Sequence, residues 1–250
     1  MAVNPSSGRK RPLSATGSGS GSPSDRQGKR EPLTRDRVLD AAVTLADEAG
    51  VQALSMRKLG QALGVEAMSL YNHVPNKEAI LDGIVERVVS EIDLPESGDD
   101  WRGAMRERAI QTYRALLRHP WAASLIESRT NPIPARTRSC ENVIGVLRGA
   151  GFSIRHAYHA FLTLDSYIYG FALQEVSWPT DKAELPEAIV TYQKLIPADR
   201  FPNIAAMMSF IADDRAHSPL AQTEDGYAPE FEFGLDLILD GLERLRDEQD

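Results

Sequence analysis

The residues best suited to specific chemistry lie in one short stretch, from Leu54 to Val74 (LSMRKLGQALGVEAMSLYNHV). It offers an amide that can pair with adenine, hydroxyls that can bond phosphate oxygens, and small or thioether side chains that can contact a thymine methyl group. This mixture, with basic residues on both sides, suits the major groove of double-stranded DNA. The candidates are Asn72, Ser69, Tyr71, Ala67, Met68 and His73, flanked by Arg57 and Lys77.

Such a surface has to be positioned by two short helices and a tight turn. The pattern predicts one helix after Ser55, a turn at Gly64-Val65-Glu66, and a second helix from Glu66 to His73. Apolar residues would fix the angle between the helices, as in a helix-turn-helix reader. These are Leu59, Leu63, Val65 and Leu70. Short helices joined by glycine turns also occur elsewhere, so a packed three-helix unit without this function stays open as the alternative.

The remaining chain keeps a helical period and shows no sustained alternation of apolar and polar residues, which predicts an all-α fold. Thr34 can cap the first helix and Gly50 can end it, and Asn76 can cap the helix after the turn region. Further helices are predicted near residues 101–118, 120–128, 135–149, 153–176, 185–196, 203–216 and 229–247.

Length and composition bound the class of protein. The chain has 250 residues, of which 42% are apolar and 26% charged, so it can bury one or two cores and is not disordered throughout. No apolar run approaches the about 20 residues needed to cross a bilayer. The single cysteine, Cys140, cannot form an intrachain disulfide. We therefore expect a cytoplasmic protein with no membrane partner.

The N-terminal end differs from the rest. Residues 1–30 are rich in serine, glycine and basic side chains, which predicts a disordered tail. Residues 1–37 hold eight lysines and arginines against three acids, a net charge of +5, whereas the whole chain carries −8 and residues 38–250 therefore −13. We therefore expect a polyanion to bind at the N-terminal end of the chain. Whether the tail contacts phosphate or is merely solvated stays open.

Residues 34–92, with the elements RKLGQALGV and SLYNHVPNKEAIL, resemble the N-terminal domain of the tetracycline-repressor (TetR) family of bacterial transcription regulators. The resemblance implies a helix-turn-helix domain over residues 31–93 that binds operator DNA. It implies base contacts from Arg57, Ala67 and Met68, with Asn72 as a further candidate. It implies contacts with the DNA backbone from Ser55, Ser69, Tyr71, His73 and Lys77.

Residues 100–248 resemble the helical C-terminal domain of the same family, notably in WRGAMRERAIQTYRALLRHPWAASLI and GAGFSIRHAYHAFLTLDSYIYGFALQEVSWP. The resemblance implies a ligand-binding and dimerisation unit, with helices 153–176 and 229–247 of two copies forming a four-helix bundle. Gly170 lies inside the first of these helices, where glycine is unfavourable. Close approach at a dimer seam and packing within one chain are both open explanations for it.

The chemistry of the effector is only partly indicated. In the tetracycline repressors, polar and histidine side chains hold the drug and magnesium, and these positions align here with Asp93, Arg108 and Ile126, so that set is missing. We expect a small lipophilic effector of unknown identity. The candidate lining residues are Met105, Tyr113, Leu117, Trp121, Phe161, Leu164 and Tyr167. Burial in an ordinary core is the alternative for each of them.

No catalytic set is visible. His156 and His159 stand three residues apart near Asp165, but without a further ligand at metal spacing we predict no metal site. Phosphate loops, dinucleotide motifs and nucleophile elbows are missing, so we expect neither an enzyme nor a cofactor. The competing hypothesis is a helical small-molecule-binding or scaffolding protein that has lost DNA affinity, which would fit the acidic body and the unreactive Ala67 and Met68.

Overall fold

The computed structural model describes residues 32–95, 98, 100–177, 191, 195–217 and 229–247. Every regular element in these ranges is helical, which confirms the all-α prediction. The expected tail at 1–30 and most of the predicted helix at 185–196 lie outside them. The α-helices are α1 (Arg35–Ala49), α2 (Met56–Leu63), α3 (Ala67–Leu70), α4 (Lys77–Ser90), α5 (Trp101–Arg118), α6 (Ala122–Ser128), α7 (Pro134–Gly149), α8 (Ile154–Ser177), α9 (Pro202–His217) and α10 (Pro229–Asp247).

Local signals set the limits of α1 as the sequence predicts. The Thr34 hydroxyl oxygen accepts a hydrogen bond from the backbone N–H of Arg37 at 3.2 Å, and Gly50 ends the helix with a φ of 76°. Helix α1 packs against α4, and Val38 of α1 and Ile84 of α4 are both completely buried. These apolar contacts hold α1 and α4 together beside the short helices α2 and α3.

Helix α3 is shorter than predicted, and the expectation of a helix from Glu66 to His73 is wrong in its length. The helix ends at Leu70, and the next N–H groups bond three residues back: that of Tyr71 to Met68 at 3.3 Å and that of His73 to Leu70 at 2.9 Å. These are turns rather than helix. Val74 has no regular structure and precedes Pro75, and proline disfavours helix at the residue before it.

The larger, C-terminal group of helices is organised around α5 and α8. Trp101 at the start of α5 packs edge-on against Phe152, just before α8, with ring centres 4.9 Å apart. Twelve residues later, Tyr113 meets Phe171 at 5.7 Å. Because the contacts advance along both helices together, α5 and α8 run parallel, and their aromatic side chains form the centre of the core.

Helix α10 covers this core from one side. Phe231 is completely buried and stacks on Tyr113, with ring centres 4.2 Å apart. At the rim, Arg102 of α5 pairs with Asp240 of α10 at 2.6 Å. Arg106 of α5 pairs with Glu232 and Asp236 of α10. These ion pairs are partly exposed and contribute little each, so aromatic burial holds α10 in place.

Part of the surface of α8 and α10 is apolar. Tyr158 and Leu162 on α8, and Phe233 and Leu237 on α10, are 42% to 70% exposed. A Cβ built at Gly170 would meet no atom of the described residues within 4 Å. The described residues therefore give no contact that would support the second explanation for Gly170, packing within one chain.

Candidate nucleic-acid interface

The turn between α2 and α3 is built by backbone hydrogen bonds and one left-handed residue. The Ser55 hydroxyl accepts from the N–H of Lys58 at 3.2 Å and begins α2. Gly64 ends it with a φ of 67°, a conformation that costs glycine nothing. The N–H of Val65 then donates to the carbonyl oxygen of Gly60 at 2.9 Å, which brings the chain back over α2.

Gly60 is the residue that lets α3 approach α2 so closely. A Cβ at this position would lie 2.8 Å from the carbonyl oxygen of Val65 and 3.2 Å from the backbone nitrogen of Ala67. Both are backbone atoms, so they can retreat only if the turn itself moves. A glycine inside a helix followed four residues later by a second glycine was the available sequence signal, and sequence reasoning used only the second.

The two faces of α3 are clearly different. Leu70 is completely buried, as is Leu59 on α2, so these residues join the helices as expected. Met68 is 72% exposed and Tyr71 46% exposed, which leaves a large apolar and an aromatic side chain in solvent. Exposed apolar side chains that lie close together can form a surface that meets a partner.

The other predicted DNA-contacting residues lie on or beside this surface. Ser55, Arg57, Asn72 and Lys77 are exposed, whereas Ala67, Ser69 and His73 are half-buried. The expected anchors Leu63 and Val65 are also half-buried rather than buried. Capping places Ser55 and Lys77. Ser55 itself caps α2, and Asn76, the neighbour of Lys77, caps α4 by accepting from the N–H of Ala79 at 2.8 Å. Lys77 is thereby fixed as the first residue of α4, and the roles of all nine residues stay predictions.

A row of acids on α4 ties the helix-turn-helix region to the C-terminal helices. Arg129, just after α6, bonds Glu78 at 2.7 Å and Asp82 at 2.8 Å. One turn further along α4, Glu86 accepts from the backbone N–H of Ala135 at 2.7 Å and from Arg138 at 3.1 Å. The hydrogen bond with Glu78 is the largest contribution to a raised pKa of Arg129, so this cation keeps its charge. The negative charge of Glu78, which follows Lys77 in the chain, is thereby compensated.

A second tie joins α1 to the segment between α5 and α6. The Asp47 carboxylate accepts from the indole N–H of Trp121 at 2.7 Å and lies 2.8 Å from Nδ1 of His119. The other ring nitrogen of His119 lies 3.3 Å from Glu91 at the end of α4, and Glu91 also bonds Arg118 at 2.8 Å. Sequence reasoning missed both ties, because their partners are far apart in the chain and only the fold brings them together.

The expected effector-lining residues are distributed through the core. Tyr113 and Tyr167 both stack on Phe231, at 4.2 and 5.3 Å between ring centres, and Trp121 bonds Asp47. These contacts are those of packing residues, in line with the core alternative, and their contact with an effector stays a prediction. Met105, Tyr113, Trp121 and Leu164 are buried, and Leu117, Phe161 and Tyr167 are half-buried. A surface groove between Leu94 and α7 contains none of them.

The histidines on α8 show no metal site. In the ranges that the structure describes, no three histidine, cysteine or acidic side chains are grouped so that they could hold a metal ion. Asp165 instead bonds Arg108 at 2.9 Å. Among the described helices, none is long and apolar enough to cross a membrane.

The exposed surface of α3 and of the turn after it, residues 67–73, is called the reading surface below. A surface of this kind, fixed by a glycine turn and linked through α4 to a larger helical domain, is the arrangement of a helix-turn-helix transcription regulator. Two family models match the chain: "Bacterial regulatory proteins, tetR family" over residues 38–84 and "Tetracyclin repressor-like, C-terminal domain" over residues 94–246. The chain belongs to the TetR family of bacterial transcription regulators.

Individual relatives support this assignment. The chain is 32% identical over 232 residues to the HTH-type transcriptional repressor DrrR1 of Streptomyces coeruleorubidus, covering 88% of this chain and 80% of that protein. It is 32% identical to a class A tetracycline repressor of Escherichia coli, covering 86% and 92%. Among solved structures, ActR of Streptomyces coelicolor in complex with actinorhodin is 29% identical, with a TM-score of 0.66 and coverage of 87% and 100%.

Proposed function

We propose that this protein is a repressor that binds a palindromic operator as a homodimer and is released by a small lipophilic effector. The observation that carries the proposal is the exposed surface of α3, where Met68 and Tyr71 stand in solvent beside the completely buried Leu70. Residues 31–93 form the DNA-binding domain and residues 100–248 the effector and dimerisation domain. The protein acts in the cytoplasm as a regulator and not as an enzyme.

Some residues of this region contact bases, and others contact the DNA backbone. Met68 and Ala67 contact thymine methyl groups, and Asn72 and Arg57 supply polar contacts with base edges. Ser55, Ser69, Tyr71, His73 and Lys77 hold the DNA backbone and set the register of the helix. This division is supported by the side-chain types and by the exposure of Met68, Asn72, Arg57 and Lys77.

Dimerisation is supported by the apolar surface of α8 and α10. Phe233 and Leu237 of α10 are 70% and 58% exposed, and the position of Gly170 leaves room for another chain to approach α8. Two copies joined there would carry two readers related by a two-fold axis, and such a dimer matches a palindrome with half-sites in successive major grooves.

Release requires that the effector favours a different separation of the two readers, since a ligand shifts an equilibrium only by its differential affinity for the two states. The ion pairs of Arg129 with α4 and the contacts of Asp47 with Trp121 connect the domains physically. The relatives support this sense of regulation, because DrrR1 is named a repressor and ActR has been solved with a small molecule bound.

The first experiment is selection of bound sequences from a random duplex DNA pool at moderate salt, followed by fluorescence anisotropy on the selected duplex. We expect a palindrome. Lys77→Ala should weaken binding equally across sequences and lower the slope of log affinity against log salt by about 1, as expected for one lost phosphate contact. Met68→Ala should change base preference instead, because it removes a base contact.

Arg200→Ala is the matched control, because Arg200 is an exposed cation just before α9, outside the reading surface and not on α8 or α10. It should leave both the affinity and the salt slope unchanged. If Lys77→Ala and Tyr71→Ala both keep full affinity, the assigned surface is wrong. If the folded protein enriches no sequence even at low salt, a helical small-molecule-binding or scaffolding protein becomes the better hypothesis.

A further inference from the structure

A charged pair lies inside the effector domain, between the parallel helices α5 and α8. Arg108 is only 5% exposed, and its Nη2 donates to the Asp165 carboxylate at 2.9 Å. The Asp165 side chain is 15% exposed. Charged groups are seldom buried in a helical core unless they are paired and hydrogen-bonded, because desolvation is costly.

The hydrogen bonds of Arg108 are incomplete. A guanidinium carries five N–H donors, and the bond with Asp165 uses only one edge of the group. The buried Nε has no hydrogen-bond partner among the described residues. An unsatisfied donor of a cationic group in a core is unfavourable, and a bound molecule with an acceptor atom would satisfy it.

The groups around the pair favour neutral forms. Burial raises the pKa of the Tyr169 hydroxyl, and the neighbouring Asp165 carboxylate raises it further. Burial likewise raises the pKa of the Cys140 thiol, again with a contribution from Asp165. Tyr169 and Cys140 are therefore uncharged at neutral pH, and the charge of Arg108 is already balanced by Asp165.

This balance determines what the free edge of Arg108 can accept. An anion would add an uncompensated negative charge beside Asp165 in a poorly solvated place. An uncharged carbonyl oxygen can accept from Nε without adding charge, and the remainder of the molecule can be apolar. Further along, Tyr113 of α5 and Phe171 of α8 are aromatic neighbours, with ring centres 5.7 Å apart, so the surroundings of the pair are apolar.

We propose that Arg108, held by Asp165, is the polar anchor of the effector site and binds the carbonyl oxygen of an uncharged molecule with an apolar ring body. The proposal rests on the effector function proposed above and specifies the chemical class of that effector. It also distinguishes this site from one built on histidine and magnesium, since Arg108 supplies donors only and holds no metal.

The test uses three probes of similar shape with the full-length protein: 2-acetylnaphthalene, which has a carbonyl, 2-ethylnaphthalene, which has no acceptor, and 2-naphthoate, which is an anion. Binding is followed by quenching of tryptophan fluorescence. We expect the ketone to bind at least about tenfold more tightly than either other probe, the gain of one hydrogen bond to a charged donor.

Arg108→Lys keeps a cation for Asp165 but removes the second edge of the guanidinium. It should abolish the preference for the ketone and leave the affinity for 2-ethylnaphthalene unchanged. Arg155→Lys, the same replacement at an exposed site on α8, should preserve the ranking. If Arg108→Lys does not fold, the ranking of the probes on the wild-type protein still decides the question of chemical class.

Three results would overturn the inference: tighter binding of 2-naphthoate than of the ketone, an unchanged preference in Arg108→Lys, or no binding of any probe to the wild-type protein. The selection of DNA sequences is carried out without probes. A recovered palindrome together with any of these results would leave the proposed regulator intact and reject only the role of Arg108.

Discussion

Replacing Gly60 by alanine should damage the protein although alanine is the better helix former. In an open helical position the exchange would stabilise by about 1 kcal/mol. At Gly60 the added Cβ would lie 2.8 Å from the carbonyl oxygen of Val65 and 3.3 Å from the Cα of Ala67. Overpacking costs about 1 to 3 kcal/mol, and contact with backbone rather than a side-chain end favours the upper value. We expect a net loss of about 2 kcal/mol in the free energy of unfolding.

Gly145→Ala is the matched control. Gly145 lies within α7 and is exposed, and a Cβ there would meet nothing within 4 Å. This variant should gain about 1 kcal/mol, so the two alanines should differ by about 3 kcal/mol. The free energies are measured by urea denaturation at one fixed protein concentration, because the stability of a dimer depends on concentration.

DNA binding provides a second measure of the same variant. If Gly60→Ala relieves the contact by moving α3 away from α2, Met68 leaves its position relative to Lys77 on α4, and the affinity for the selected operator falls even where the protein stays folded. Equal stabilisation by Gly60→Ala and Gly145→Ala, with unchanged operator affinity, would refute the view that the turn depends on this approach.

Three further predictions concern the links and surfaces of the molecule. Asp47→Ala should lower the free energy of unfolding by about 1 to 2 kcal/mol in thermal denaturation, because the indole N–H of Trp121 loses its acceptor. The control, Asp40→Ala, removes only an exposed ion pair at 3.5 Å and should change the free energy of unfolding by less than about 0.5 kcal/mol. Gly170→Leu should lower the sedimentation mass toward that of a monomer without loss of helical circular dichroism, and a persistent dimer would argue against the seam. Because burial raises the pKa of Cys140, its alkylation by iodoacetamide at pH 7.5 should be slower than that of free cysteine. The rate for Cys140 should still increase at pH values where the rate for free cysteine is constant, and equal rates would contradict this prediction.

Local features were predictable because their causes are local. Helix starts are predicted by side chains that can cap, and each of these forms the expected hydrogen bond: Thr34, Ser55 and Asn76. Helical spacing also predicted the apolar anchors Leu59 and Leu70, and both are completely buried. The length of α3 was not predictable in the same way, since the residues after Leu70 have no strong helix breaker before Pro75.

Long-range polar contacts could not be read from the chain. Arg129 pairs with Glu78 and Asp82 across about 50 positions, as the sequence numbers show, and nothing in residue type distinguishes these groups from the other charged residues of a surface. Arg108 illustrates the same limit: alignment marked its position, but only the structure shows that the side chain is buried and bonded to Asp165.

In α3, one residue is buried in the core and another is exposed to solvent. Leu70 is completely buried and supports folding, whereas Met68 is 72% exposed and contributes little to stability. Substitutions at such exposed positions usually change the free energy of unfolding by less than about 0.5 kcal/mol. If Met68 contacts bases as proposed, descendants of this protein can acquire new operator sequences through this residue and keep the same folded scaffold. The divergence of DNA specificity is then limited by the available operators and not by the stability of the repressor.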